Sequence, residues 1–441
     1  MYAFSPETFA QRRRQLVEQI GDDAVAILVA NPERPRSNDT TYAYRPSSDI
    51  LYLSGFREPQ TVLVFAPGHD EGDFVMFVRE RDPKKEQWDG RRAGVEGAKR
   101  DYGADNAFTI DELDDKLPEF LEERERLYFT LGRSDKFDRR ITRWMNKLRH
   151  RRSKPSGAPG MLIDARDILH EMRVKKRPEE LEVMRRSAKI SAEAHILAME
   201  HCKPGMHEYE LQALIEYHFR KNGAEYPAYT SIVGAGDNAT ILHYIENRDV
   251  IEDGDVVLID AGAEFGFYAT DITRSFPASG EFTAAQRDLY DAVLDAQLEV
   301  IDRIEPGVLY NELQDTAVRS LTESMIDLGL LSGAVDELIE DEAHKKYYPH
   351  NIGHWLGIDV HDVGPYHASE GDWRPLESNM VLTIEPGIYV PADDEDAPAE
   401  LRGVGVRIED DILVTDDGYE NLTGMCPKAA TEVEALVGSK A

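Results

Sequence analysis

The stretch DVVLIDAGAEFGFYATDITRSF, residues 255–276, sets two carboxylates in an otherwise apolar context: Asp260 closes the run VVLID, and Asp271 lies within FGFYATDITRSF. Residues alternate faces along a strand, so a hairpin turning through Ala261 and Gly262 brings both side chains onto one side. Held that close, they cannot both stay ionised unless a cation sits between them or one takes up a proton. The signature recurs downstream. MVLTIEPGIYV, residues 380–390, puts Glu385 at the end of another apolar run, and GVRIEDDILV, residues 405–414, puts Glu409 on a further strand. Alternation there turns Val406 and Ile408 one way and Arg407, Glu409 and Asp411 the other.

Between these acidic segments lies HNIGHWLGIDVHDVG, residues 350–364, with His350, His354 and His361. It follows KKYYP and reads as an irregular loop leading into a strand, with Gly353 and Gly357 allowing backbone to approach whatever the histidines touch. Four carboxylates and one imidazole satisfy a two-metal site of mostly hard oxygen donors, so one histidine suffices as ligand and two remain for chemistry. Taken singly, a carboxylate at a strand end is ordinarily a cap or a solvated turn, and a lone histidine is ordinarily structural. Taken together, Asp260, Asp271, His354, Glu385 and Glu409 are otherwise unpaired charges beside a core. The pattern points to hydrolysis.

A chain of 441 residues with 41% hydrophobic content fills two cores rather than one. Its net charge of -33 argues against nucleic acid and against anionic membrane surfaces as partners. Two cysteines, Cys202 and Cys426, rule out a disulfide framework and suit a reducing compartment. The opening MYAFSPETFAQRRRQLVEQI sets arginines in an amphipathic helical pattern without the apolar stretch of a signal peptide, and no run approaches the roughly 20 apolar residues that cross a bilayer. A cytoplasmic location is expected.

Up to about residue 170, AVAILVA, TVLVFAP, FVMFV and LYFTLG are short apolar runs separated by helical segments, which predicts an α/β domain. HRRSKPSGAPG, residues 150–160, is basic, Pro/Gly-rich and turn-forming, and reads as a linker or exposed loop. A helix then starts at Pro178, with Leu181, Met184, Ala188 and Ala192 on one stripe beside Ile196 and Leu197, a core pattern rather than a cofactor site. The expected boundary lies near residue 174.

The strings VLIDAG, DITRSF, IGHWLG, VHDVG, TIEPGIY and GVRIEDD, with the order Asp, Asp, His, Glu, Glu, resemble the pita-bread metallopeptidases, a family that includes methionine aminopeptidase, prolidase, aminopeptidase P and the non-metal enzyme creatinase. The resemblance implies an α/β N-terminal domain over residues 1–174 and an α+β pita-bread catalytic domain over residues 175–441. It puts the metal ligands on Asp260, Asp271, His354, Glu385 and Glu409. With no ligand missing, it argues against creatinase and against a non-catalytic binding module. Two divalent ions are implied, manganese first, with cobalt, zinc or iron fitting the same donors.

RSNDTTYAYRPSSDILYLSGFREP is similar to the N-terminal domain of aminopeptidase P and prolidase, and GHWLGIDVHDVG and EVMRRSAKISAEAH stand closer to the bacterial aminopeptidase P pattern. That branch implies release of the first residue from peptides with proline in second position, through a metal-bridging hydroxide. Prolidase, which takes Xaa-Pro dipeptides, is the alternative, and hydrolysis of organophosphates is a conceivable side activity of such sites. The resemblance implies Glu385 as ligand and proton shuttle, His361 and His243 as donors to the oxyanion, His350 and Tyr229 in the proline-side pocket, and Arg407 as the group that orients Asp260 or Glu409. Asp39 and Trp88 match positions that reach a neighbouring subunit's site or line the substrate pocket, although a turn-forming Asp and a surface-covering Trp would read the same way. A homodimer or homotetramer is implied.

Overall fold

The structure of the chain, a computed structural model, describes residues 4–150, 157–369 and 371–440. Residues 151–156, most of the Pro/Gly-rich stretch read as a linker, lie outside the described residues. The chain divides into two compact units, Met1–Met172 and Arg173–Ala441.

In the N-terminal unit the apolar runs become one mixed sheet. Its strands are β1 (Ala24–Val29), β2 (Val62–Phe65), β3 (Phe74–Val78), β4 (Asn106–Thr109), β5 (Arg126–Tyr128) and β6 (Met161–Ile163). They lie in the order β4-β3-β2-β1-β5-β6, with β1 antiparallel to β2 and parallel to β5. Helix α1 (Pro6–Ile20) starts where the Ser5 hydroxyl accepts from the Thr8 N–H and proline occupies the first turn. Its arginines depart from a simple solvated face. Arg12 is fully buried, with its guanidinium 4.1 Å from the Tyr52 ring and a bond to the Tyr52 carbonyl at 3.0 Å.

The second unit wraps helices α2 (Pro178–His201), α3 (Glu208–Lys221), α4 (Ala284–Ile301) and α5 (Tyr310–Asp327) around several short sheets. Strands β7 (Ile232–Ala235), β8 (Val256–Asp260) and β9 (Thr273–Pro277) form one antiparallel sheet. Strand β10 (Val381–Ile384) is followed by β11 (Gly387–Val390), β12 (Val404–Arg407), β13 (Asp410–Val414) and β14 (Tyr419–Asn421). These pair as β10-β13-β14 and β11-β12, and an isolated bridge between Thr273 and Glu409 ties the two groups of strands together.

The core explains why α2 sits where it does. Leu181, Met184, Ala188 and Ala192 are buried, as the stripe predicts, whereas Ile196 and Leu197 are only half-buried. The polar residues of the same face grip the chain just beyond Asp260. The Ser187 hydroxyl donates to the Ala263 carbonyl at 2.9 Å, Ser191 Oγ accepts from the Ala263 N–H at 2.9 Å, and His195 Nε2 meets the Ala261 carbonyl at 2.9 Å. Both cysteines are buried free thiols. Among the described residues no helix is long and apolar enough to cross a membrane.

Candidate metal centre

Asp260 is the last residue of β8, in register with Thr273, the first residue of β9. The hairpin expected to bring Asp260 and Asp271 together forms, but its turn lies at Gly266 and Phe267 and not at Ala261 and Gly262. Beyond Asp260 the two strands keep one register: the Ala261 N–H donates to the Ile272 carbonyl and the Thr270 N–H to the Ala263 carbonyl, each at 3.1 Å, and Ala263–Phe265 then pairs with Tyr268–Ala269 while its other edge meets Tyr226–Pro227. Asp271 therefore lies just before β9, its N–H donating to Asp411 Oδ2 at 3.2 Å. Both carboxylates still meet, because the Tyr229 hydroxyl lies 2.5 Å from Asp260 Oδ1 and 2.5 Å from Asp271 Oδ1.

Glu385 occupies the break between β10 and β11, and Glu409 the break between β12 and β13, rather than the interior of a strand. The Glu409 carboxylate accepts from the Thr273 hydroxyl at 2.7 Å. The charged face expected for Arg407, Glu409 and Asp411 is buried, and so is the opposite face, since Val406 and Ile408 belong to an apolar core. Asp410, which alternation assigns to that apolar side, is buried as well and pairs with Arg274 at 2.7 Å and Lys428 at 2.6 Å. Strand alternation alone has no way to show those distant partners.

The histidine segment is irregular throughout, apart from a bridge between Trp355 and Leu382. What its glycines touch is backbone and a carboxylate, not the histidines. A Cβ on Gly353 would lie 1.9 Å from the Thr383 carbonyl oxygen, and one on Gly357 would lie 2.1 Å from Asp362 Oδ2. This close packing sets His354 against β10, where its N–H donates to the Thr383 hydroxyl at 3.0 Å. His354 Nδ1 faces the Trp355 carbonyl at 3.0 Å, an acceptor, so Nδ1 carries the hydrogen and Nε2 is the free donor atom. That Nε2 lies 3.4 Å from Asp271 Oδ2 and 3.6 Å from Glu385 Oε1.

Donor atoms of Asp271, His354 and Glu409 lie within 4.8 Å of one another. Burial, reinforced by the neighbouring carboxylates, raises Asp271, Glu385 and Glu409 above the ordinary carboxylate range. Burial alone would lower His354, but Asp271 and Glu385 outweigh it and lift it to about 9. The protein by itself balances this site by holding protons. Divalent cations would take the place of those protons, and hard oxygen donors with one imidazole are the set that such cations prefer.

Arg407 is buried against the acidic cluster. It donates through Nη2 to Asp260 Oδ2 at 2.6 Å and through Nε to the Thr273 hydroxyl at 3.1 Å, the same hydroxyl that bonds Glu409. Arg407 thus bonds Asp260 directly and reaches Glu409 only through the Thr273 hydroxyl. Its Nη1 donates to the Tyr389 hydroxyl at 3.0 Å, and that oxygen lies 2.8 Å from His350 Nε2. His350 Nδ1 faces the Asn351 carbonyl at 2.8 Å, so the Tyr389 hydroxyl donates to Nε2. Burial and the Arg407 charge push His350 down to about 4 and keep it neutral.

The five donors, Tyr229, Arg407 and His350 line a cavity of about 590 Å³, together with His361, His243, Ile232, Leu242, Ile245, Val360 and Tyr366. His361 is exposed to it, its ring 4.3 Å from that of His354, and its pKa is lowered by burial and the nearby His354 and His243. Asp39 and Trp88 belong to the N-terminal unit. Asp39 is exposed in the turn of a hairpin formed by Pro35–Ser37 and Thr40–Thr41, and Trp88 is 87% exposed. Sequence reasoning missed Thr273, Thr383 and Tyr389. Thr273 was the one with a signal, since it shares strand parity with Asp271.

The model of metallopeptidase family M24 matches residues 182–416, and that of the aminopeptidase P N-terminal domain matches residues 9–128. Across 99% of this chain and 99% of the relative, the sequence is 44% identical to the Xaa-Pro aminopeptidase of Escherichia coli (strain K12). The fold is similar to that of Pseudomonas aeruginosa aminopeptidase PepP, with a TM-score of 0.96 and 48% identity over 99% of this chain and 98% of that one. It is also similar to Zn-substituted E. coli aminopeptidase P in complex with product, with a TM-score of 0.94 and 44% identity over 98% of each chain. An α/β N-terminal domain followed by an α+β pita-bread catalytic domain is therefore the architecture, as the sequence led one to expect. The chain belongs to metallopeptidase family M24 and, within it, to the Xaa-Pro aminopeptidases.

Proposed function

We propose that this metallopeptidase releases the first residue from peptides with proline in second position. One observation carries the reading: five hard or borderline donors converge on the wall of a single cavity that is also lined by three more histidines, Arg407, Tyr229 and apolar side chains. Identity of 44% across the whole chain to an Xaa-Pro aminopeptidase supports the substrate class.

Asp260, Asp271, His354, Glu385 and Glu409 would hold two divalent cations, manganese being the expected metal. Bound there, such ions lower the pKa of water so that hydroxide forms near neutral pH, and they polarise a carbonyl. Glu385 Oε1 takes the proton of the attacking water and delivers it to the leaving proline nitrogen. A neutral His361, with His243 beside it in the lining, presents an N–H to the carbonyl oxygen as that oxygen gains negative charge. Arg407 fixes the Asp260 carboxylate, and through Tyr389 it holds His350 neutral on the proline side together with Tyr229. Ile232, Leu242 and Ile245 give the cavity part of its apolar wall.

The same reading makes residues 1–174 the N-terminal domain and residues 175–441 the catalytic one. It makes the protein a homodimer or homotetramer, in which the exposed Asp39 and Trp88 serve a neighbouring copy's substrate. Two buried free thiols are compatible with a cytoplasmic setting. The test is hydrolysis of Xaa-Pro-Yaa, Xaa-Ala-Yaa and Xaa-Pro substrates side by side by the metal-loaded enzyme. Cleavage of Xaa-Pro-Yaa after the first residue, with Xaa-Ala-Yaa much poorer, is expected because proline's fixed φ and missing N–H give the pocket a shape to recognise. Turnover of the dipeptides alone would replace this reading with prolidase.

A further inference from the structure

His361 sits on a stretch, residues 356–366, that has neither helix nor strand to hold it. Beside it, however, is a buried cluster of charge that the reaction does not use. The Asp362 side chain is 1% exposed and accepts from Arg173 Nη2 at 2.5 Å and from Lys176 Nζ at 3.0 Å. Lys176 is likewise 1% exposed and also donates to the Arg173 carbonyl at 2.8 Å, while Arg173 Nη2 reaches Asp359 Oδ2 at 2.7 Å.

The surrounding backbone is built to this cluster. Gly357 lies against the Asp362 carboxylate, as noted, and a Cβ on Gly364 would lie 2.3 Å from Val174 Cγ2. The Asp362 N–H donates to the Trp355 carbonyl at 2.8 Å, the same carbonyl that faces His354 Nδ1. Burying several charges is a poor way to gain stability, since desolvation offsets most of the attraction. It is an effective way to hold one geometry, because leaving any member of the cluster unpaired is costly.

We propose that the Arg173, Lys176 and Asp362 cluster is the positioning device for His361: it fixes the loop so that the adjacent imidazole stays over the cavity next to His354. Asp362 touches no substrate in this account and acts only through its neighbour. The inference rests on the reading of His361 as the donor to the developing oxyanion. A group that serves only the transition state should, when misplaced, lower kcat and leave KM nearly unchanged.

The test is a double-mutant cycle on the metal-loaded enzyme with an Xaa-Pro-Yaa peptide, using the wild type, Asp362→Asn, His361→Ala and the double variant, with metal content measured for each. Asp362→Asn keeps the shape and removes the charge. It is expected to lower kcat about tenfold or more with KM within about threefold and metal content unchanged. His361→Ala is expected to cost about a hundredfold in the wild type but about tenfold or less on the Asp362→Asn background, so that the double variant is no slower than His361→Ala alone. Costs that multiply, with the single His361→Ala effect intact, would overturn the clamp alone. An unchanged kcat in His361→Ala would remove the reading of His361 and the clamp with it. If Asp362→Asn does not fold, Lys176→Gln carries the same cycle with Arg173 still paired to Asp362, and the same outcomes decide.

Discussion

Arg274 illustrates how a metal ligand depends on what stands behind it. Fully buried, it donates to Asp410 Oδ1 at 2.7 Å, to the carbonyls of Glu409 and Thr273 at 2.6 and 2.9 Å, and to those of Cys426 and Pro427 at 2.8 and 3.1 Å. One guanidinium therefore fixes the backbone at Glu409 to the strand that follows Asp271. Replacing it by methionine keeps the volume but strips a buried carboxylate of a partner, although Lys428 and the Thr423 hydroxyl still reach Asp410. Arg274→Met should destabilise the fold by about 3 kcal/mol, the low end for breaking a buried pair, and should weaken metal binding. Urea denaturation and metal titration check both, and a variant as stable as wild type with undiminished metal affinity would contradict this role.

At the residue scale the donors were legible because an acidic side chain that interrupts Val, Ile and Leu has few other reasons to be there. Their supports were not. Thr273, Thr383 and Tyr389 are ordinary strand residues, and nothing near Arg274 or Arg12 in sequence distinguishes a buried arginine from a solvated one. Their partners, Asp410 and Tyr52, come from distant parts of the chain.

At the scale of elements, all four carboxylates lie at strand ends or breaks, which frees each to aim at a common point instead of following the pleat. Apolar runs predicted the strands themselves well. They misplaced only the turn between Asp260 and Asp271, since the two strands run on in one register past Ala261 and Gly262 to Gly266 and Phe267, and where a pair of strands stops depends on tertiary neighbours that a pattern of alternation does not contain.

The loop that carries His361 gives an element-scale prediction. Burial alone would raise the Asp362 carboxyl, but Lys176 and Arg173 outweigh it and hold it below the ordinary range. A carboxyl depressed in the folded state contributes stability that is fully present above the unfolded value, about 3.9, and lost as pH falls through the folded one. The denaturation midpoint of the wild type should therefore exceed that of Asp362→Asn by a constant amount above about pH 5, and the gap should close below about pH 4. A gap independent of pH would mean that the charge on Asp362 contributes nothing to the fold.

At the scale of the whole molecule, two units follow from the chain's length and from the shift between a sheet-rich first part and a second part where acids and histidines mark the strands. The net charge of -33 is compatible with a site that is itself acidic, since the free amino group of a peptide is drawn to such a surface. The five donors sit at widely separated points of the sequence, and only the folded second unit makes them one site. The most direct test of that claim is the metal content per chain, measured beside hydrolysis of an Xaa-Pro-Yaa peptide, for the wild type and for Asp260→Asn and His354→Ala. The account predicts two divalent ions per wild-type chain, and loss of at least one ion together with loss of hydrolysis in each variant. Full activity in a metal-replete Asp260→Asn enzyme would contradict it.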